Sequence, residues 1–177
     1  MTATSTNTAV DPQLSHLVRD AYDLEAERLD DHDLHAWATW LHPEFAYEVP
    51  VGVIREDPRE PQHSAVGMLA METRSSIDLW LVRMTDLLRD VAYSENPPVR
   101  TRHFISGVRV RRQSDGTLAA RSNILLTWLR ADEPPQFVAG ERHDVLTYDD
   151  DGQLLLRHRR VLLDATVLYL THLRVIL

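Results

Sequence analysis

The chain has 177 residues, 44% hydrophobic and 26% charged, a length and composition that suit one domain with its own core. It contains no cysteine and no lysine, which excludes a Cys nucleophile, a disulfide framework, a cysteine-ligated iron–sulfur cluster, Schiff-base chemistry and a P-loop lysine. Twenty-seven acids against nineteen arginines leave a net charge of −8, and only Arg109, Arg111 and Arg112 approach a basic run, which argues against a nucleic-acid partner.

Residues 1–10 are small and polar and read as a loose tail ahead of a single domain over 11–177. That start has neither the basic residues nor the apolar run of a signal peptide, and no stretch is long enough to span a bilayer, so a cytoplasmic protein without a membrane partner is expected. Asp11-Pro12 is a helix start, a capping carboxylate followed by proline at the first helical position. Leu14, Leu17, Val18, Ala21 and Leu24 then recur at helical spacing. Asp30-Asp31-His32-Asp33 interrupts the stripe before Leu34, Trp37, Ala38 and Leu41 resume it, so two helices, or one with a break, are predicted up to Pro43.

Phe45–Val51 alternates as a short strand, with Pro50 placing it near a sheet edge. Residues 52–63 carry Pro58 and Pro61 among charges and read as a surface loop. A helix is predicted over about Ser76–Tyr93, from Ile77, Trp80, Leu81, Met84, Leu87, Leu88 and Val91. Beyond Pro98 the period changes to two, with strands near Val99–Arg112, Leu118–Arg130, Gln136–Tyr148 and Leu154–Asp164, and a last segment reaching Leu177. Helices followed by long hairpins imply an α+β fold, a curved antiparallel or mixed sheet wrapped around the N-terminal helices as a cone.

Few residues point to chemistry. His32 and His35, beside Asp31 and Asp33, have a spacing that could ligate a metal, but lack a third ligand; the competing reading is a solvated turn. Glu60-Pro61-Gln62-His63 has a metal-site spacing without helical geometry. On the predicted strand Glu141-Arg142-His143-Asp144, Glu141 and His143 share one face and Arg142 and Asp144 the other; cross-strand ion pairing is favoured over an acid–base pair. His103 either lines a pocket with Tyr47 and Asp31 or is a satisfied core histidine, and Trp37, Trp40, Trp80 and Trp128 read as core.

The segment Ser94-Glu95-Asn96-Pro97-Pro98-Val99-Arg100-Thr101-Arg102-His103-Phe104-Ile105-Ser106-Gly107-Val108 resembles the W-S-E-[DN]-P-P-S-R-T-R-H signature of the small (beta) subunits of aromatic-ring-hydroxylating dioxygenases. Ala139–Leu146, Arg159–Leu168 with Leu173–Leu177, and Trp37–Leu41 with Phe45–Pro50 are similar to further segments of that family, in order over about residues 14–177. Tyr93, Val99 and Gly107 depart from its usual Trp, Ser and Asn, and the chain's aliphatic end departs from its Phe pair.

The resemblance implies the NTF2-like (cystatin-like, SnoaL-like) cone, and a chain that binds no cofactor or metal. It implies a large (alpha) subunit carrying the Rieske [2Fe-2S] cluster and mononuclear Fe(II), NADH acting through separate electron-transfer components, a beta trimer and an α3β3 assembly. Glu95, Arg100 and Arg102, within the signature, are the candidate partner contacts, against an internal ion-pair role. Two other readings of the same cone are an isomerase or dehydratase needing no cofactor and using His103, Asp31 and Tyr47, and a small-molecule binding module.

Overall fold

In the computed structural model, the described residues are 11–57, 59–82, 99–131, 133–166 and 176–177. Helix α1 runs Pro12–Asp30, capped by the Asp11 carboxylate, which accepts from the backbone N–H of Gln13 (3.0 Å) and Leu14 (3.3 Å). It ends where His32 adopts a left-handed conformation (φ 58°), so that the Asp33 N–H reaches back to the Arg28 carbonyl (2.8 Å) and the His32 N–H to Leu29 (3.2 Å). The Asp33 side chain then caps α2 (Leu34–Ala38) by accepting from the Ala36 N–H at 3.2 Å. Asp33 thus serves both to end one helix, through its N–H, and to start the other, through its carboxylate.

Strands β1 (Leu41–Gly52) and β2 (His63–Thr73) come next, then α3 (Arg74–Val82) and strands β3 (Arg100–Arg112), β4 (Leu118–Leu129), β5 (Gln136–Tyr148) and β6 (Leu154–Leu163). They form a six-stranded sheet in the order β2-β1-β6-β5-β4-β3, antiparallel throughout except for the β1–β6 pair, which is parallel. The sheet curves, and α1 lies against its concave side, giving the α+β cone expected from the sequence. Leu14, Val18, Tyr22 and Leu29 of α1 meet Trp37, Phe45, Val49, Leu126, Leu146, Leu156 and Val161 in the core. The four tryptophans read as core are there or close to it, with Trp37 and Trp40 in the cluster, Trp80 packed against it and Trp128 buried.

Two expectations need correction. Residues 45–51 are part of a twelve-residue strand rather than a short one, and β1 lies beside the edge strand β2, near the sheet edge as expected. Pro50 is tolerated because its missing N–H falls where the β1–β2 register shifts. The edge belongs to β2, which has no predicted counterpart; its residues show no buried–exposed alternation, and Val66 and Met71 are largely in solvent. The third predicted helix is seen over Arg74–Val82, and the remainder of that expectation, to Tyr93, lies outside the described residues. The loop 52–63 and the four later strands match their predicted ranges to within a residue or two, and Gln136–Tyr148 coincides with β5.

Gly107 occupies a left-handed position (φ 64°) at the register shift between Ser106 and Arg109 in β3. Asn, the residue more usual in the resembled signature, tolerates the same backbone region, so this departure preserves the bulge.

Candidate functional site

The centre of the cone is ionic. Alternation along β5 points Arg142 and Asp144 inward, β6 adds Arg159 and α1 adds Glu25, and all four are 0–2% exposed. The Arg159 guanidinium donates to Glu25 through Nη1 (2.6 Å) and Nη2 (2.9 Å) and to Asp144 through Nε (3.0 Å) and Nη2 (2.8 Å). The Arg142 Nη2 donates to Glu25 Oε2. Tyr22 donates its hydroxyl to Asp144 at 2.7 Å, and the Trp37 indole N–H donates to Glu25 at 3.3 Å. The Tyr22 ring lies 4.8 Å from the Arg142 guanidinium carbon.

Two cations and two carboxylates cancel, which is how charges can be held away from water at all. Burial, supported by the Glu25 charge, still pushes the Asp144 carboxyl up to about 7 against the pull of Arg142 and the Tyr22 hydrogen bond. Burial also raises Glu25, while Arg142 opposes it. The Tyr22 hydroxyl is raised by burial and then by Asp144, which keeps it a donor.

A second polar group sits where α1 meets β3. The Asp30 carboxylate lies 2.6 Å from His103 Nδ1 and accepts from the His103 backbone N–H (3.1 Å) and the Thr101 hydroxyl (2.9 Å). Burial would raise Asp30, but these bonds from His103 and Thr101 outweigh it and hold the carboxyl below its ordinary range. The other ring nitrogen of His103 is 3.0 Å from the Ile176 carbonyl. The Tyr47 hydroxyl accepts the Leu177 N–H at 3.3 Å, and burial raises its pKa. The Leu177 carbonyl takes a long bond from Arg159 (3.4 Å), so residues 176–177 join the two polar groups.

His103 and Tyr47 therefore line the interior, each engaged by groups of the chain itself. The third member of the expected trio is corrected: Asp31 is exposed at the helix end, and its neighbour Asp30, one helical position earlier, faces β3 and pairs with His103. His103 is a satisfied core histidine. Arg100 is exposed, and Arg102 is 66% exposed with its guanidinium 3.8 Å from Asp30, while Glu95 lies outside the described residues.

Each of the two metal spacings has a histidine set against a backbone carbonyl. His32 Nε2 is 3.0 Å from the Val99 carbonyl and His63 Nε2 is 2.8 Å from the Leu163 carbonyl. Among the described residues no three His, Asp or Glu side chains converge to hold an ion.

Ion pairing accounts for both faces of the β5 tetrapeptide: Arg142 and Asp144 inside, Glu141 and His143 bonded to Arg121 outside. Glu25 was missed by sequence reasoning although its signal was present. It stands in phase with Leu14, Val18, Tyr22 and Leu29, a carboxylate on the buried stripe of its helix.

Residues 24–169 match the family described as "Ring hydroxylating beta subunit". The chain belongs to this family. The beta subunit of biphenyl 2,3-dioxygenase from Rhodococcus jostii (strain RHA1) is 28% identical over 161 residues, 90% of this chain and 86% of that one. A chain in the structure of naphthalene 1,2-dioxygenase with indole bound in the active site superposes with a TM-score of 0.83 at 20% identity, over 97% of this chain and 89% of that chain.

The fold extends to a structure described as a putative scytalone dehydratase from Novosphingobium aromaticivorans DSM 12444, at TM-score 0.59 and 18% identity, covering 92% of this chain and 90% of that one. This beta subunit therefore shares the NTF2-like cone with proteins of other kinds, and its membership rests on the family match. Among its described residues no helix is long and apolar enough to cross a membrane.

Proposed function

We propose that this beta subunit is a non-catalytic scaffold of an aromatic-ring-hydroxylating dioxygenase, a cytoplasmic enzyme in which three copies support three large subunits as α3β3. The large subunit carries the Rieske cluster and the mononuclear iron and hydroxylates the ring, with electrons from NADH through separate components. The observation that carries this reading is the mutual pairing of the ionic groups inside the cone. Among the described residues, Glu25, Asp144, Arg142 and Arg159 pair with one another and His103 has an oxygen partner at each ring nitrogen, so these groups are engaged by the chain itself. The absence of cysteine supports it, since a Rieske centre takes two cysteine ligands.

An isomerase or dehydratase using His103, Asp31 and Tyr47 is not favoured, because Asp31 is away from the other two and Tyr47 is engaged by the chain at Leu177. Glu95, Arg100 and Arg102 are proposed as contacts with the large subunit; the exposed Arg102 guanidinium, only loosely held by Asp30, is the best placed of these to reach across.

Co-expression with a large subunit, followed by sizing and NADH-dependent oxygenation of aromatic substrates, tests the scaffold role. Activity is expected only in the reconstituted complex, and turnover by this chain alone would refute it. Arg102→Ala is expected to loosen the complex on sizing while leaving the iron content of the large subunit unchanged.

A further inference from the structure

The outer face of the sheet carries an apolar patch that the fold itself does not cover. Phe104 and Leu125 are register partners across β3 and β4, and Phe137 stands one pair further along on β5, opposite Thr127. They are 55%, 40% and 63% exposed, on a face where side chains of this kind mark an interface. Their surroundings are basic. Beyond Arg100 and Arg102, proposed above for the large subunit, strand β3 adds Arg109, Arg111 and Arg112 and none of the chain's twenty-seven acids; Arg109 is the register partner of Arg121, which Glu141 on β5 holds at 2.9 Å.

On the other side of the molecule a groove of about 410 Å³ runs between α1 and the β5–β6 turn. Its apolar lining includes Leu17, Leu24, Trp37, Trp40, Leu154 and Leu155, and Leu17 and Leu24 are 43% and 45% exposed. Arg28 also lines it, with its guanidinium on the Ala36 carbonyl (3.0 Å), and carboxylates stand along its rims: Asp20, 3.3 Å from His16, and Glu27 are exposed on α1, and Asp150 and Asp151 precede Gly152 and Gln153 on the other side.

One chain thus presents an apolar face flanked by arginines and, elsewhere, an apolar groove flanked by carboxylates. We propose that the acid-banked α1 groove of one copy receives the Phe104–Leu125–Phe137 face of the next, forming the contact between beta subunits. Two different surfaces meet, so the contact is head-to-tail and each copy has one of each to offer. Such contacts close into a ring when the rotation allows, and a face-to-face pair is disfavoured by arginine meeting arginine. The inference rests on the trimer reading under Proposed function and names its surfaces.

The lack of native cysteine makes a direct test possible. The full chain carrying Leu24→Cys together with Phe137→Cys is expected to give, on mild oxidation, a covalent ladder that stops at the trimer, whereas each single-cysteine variant stays uncross-linked. A disulfide dimer formed by Phe137→Cys alone would show a face-to-face contact and overturn the proposal. So would the absence of a ladder from the double variant, whether or not the large subunit is present.

Charge reversal is the second arm. Arg109→Glu is expected to weaken self-association at least tenfold in sedimentation, and adding Asp150→Arg with Asp151→Arg to recover most of it. Failure of that recovery, with folding intact by circular dichroism, counts against the pairing. If the unaltered chain is captured by the large subunit while no ladder forms, the groove assignment fails and the subunit reading stands. If that capture fails as well, the subunit reading fails.

Discussion

The two faces of β5 hold nearly the same residue types in opposite circumstances. Inside, Arg142 and Asp144 are at most 2% exposed and locked with Glu25 and Arg159; outside, Glu141 and His143 share Arg121, whose side chain is 59% exposed. Adjacent residues thus differ in what a charge means. Water screens the outer pairs and can replace any partner, whereas each inner charge depends on partners that nothing else can supply.

The largest expected difference comes from removing one inner cation. Arg159→Met leaves Glu25 and Asp144 under-compensated and is expected to cost about 3–5 kcal/mol in urea denaturation. A loss no greater than for an outer pair would show that the inner charges are not mutually dependent.

Next comes pH. Asp144 titrates near 7 in the folded chain but near an ordinary aspartate value, about 3.9, when unfolded. The folded state therefore binds the extra proton between those values, and the contribution of Asp144 to stability falls as pH rises from about 4 to about 7, then levels off. The slope is on the order of 1 kcal/mol per pH unit. Denaturation at pH 5 and pH 7.5 checks it, and Asp144→Asn should flatten the profile while lowering stability overall.

A smaller effect is expected at the α1–β3 junction. Asp30→Asn keeps the shape but weakens the bonds to His103 and Thr101, for about 1–3 kcal/mol, read as a shift in the urea midpoint. The smallest belongs to the outer face, where Glu141→Ala is expected to change stability by less than about 1 kcal/mol, less still at high salt.

The strands of the second half were legible because each alternates cleanly between a buried and an open face, and turn residues bound them. Strand β2 was not, because an edge strand with Val66 and Met71 in solvent carries no such pattern. In α1 the apolar residues misplace the buried face by part of a turn. Leu17 and Leu24 fit the stripe by type yet remain half exposed, while Glu25, polar by type, is fully buried.

The same limit separates Asp31 from Asp30. Which carboxylate meets His103 depends on how α1 ends against β3, and that is decided by the left-handed turn at His32, a tertiary matter that spacing does not encode. Ion pairing of residues 141–144 is legible in the sequence because opposite charges abundant on neighbouring strands leave few alternatives once the register is set.

The distances in sequence across the inner network bear on how the chain acquires its shape. Glu25 finds its partners 117 and 134 residues later, and Tyr22 finds Asp144 122 residues later. At ribosomal speeds of about 5–20 residues per second, the first helix waits on the order of ten seconds for the guanidinium groups that neutralise it. Until they arrive, Glu25 has every reason to stay hydrated, and α1 to stay undocked. Closure of the cone is therefore a late event dominated by non-local contacts, a topology that folds slowly.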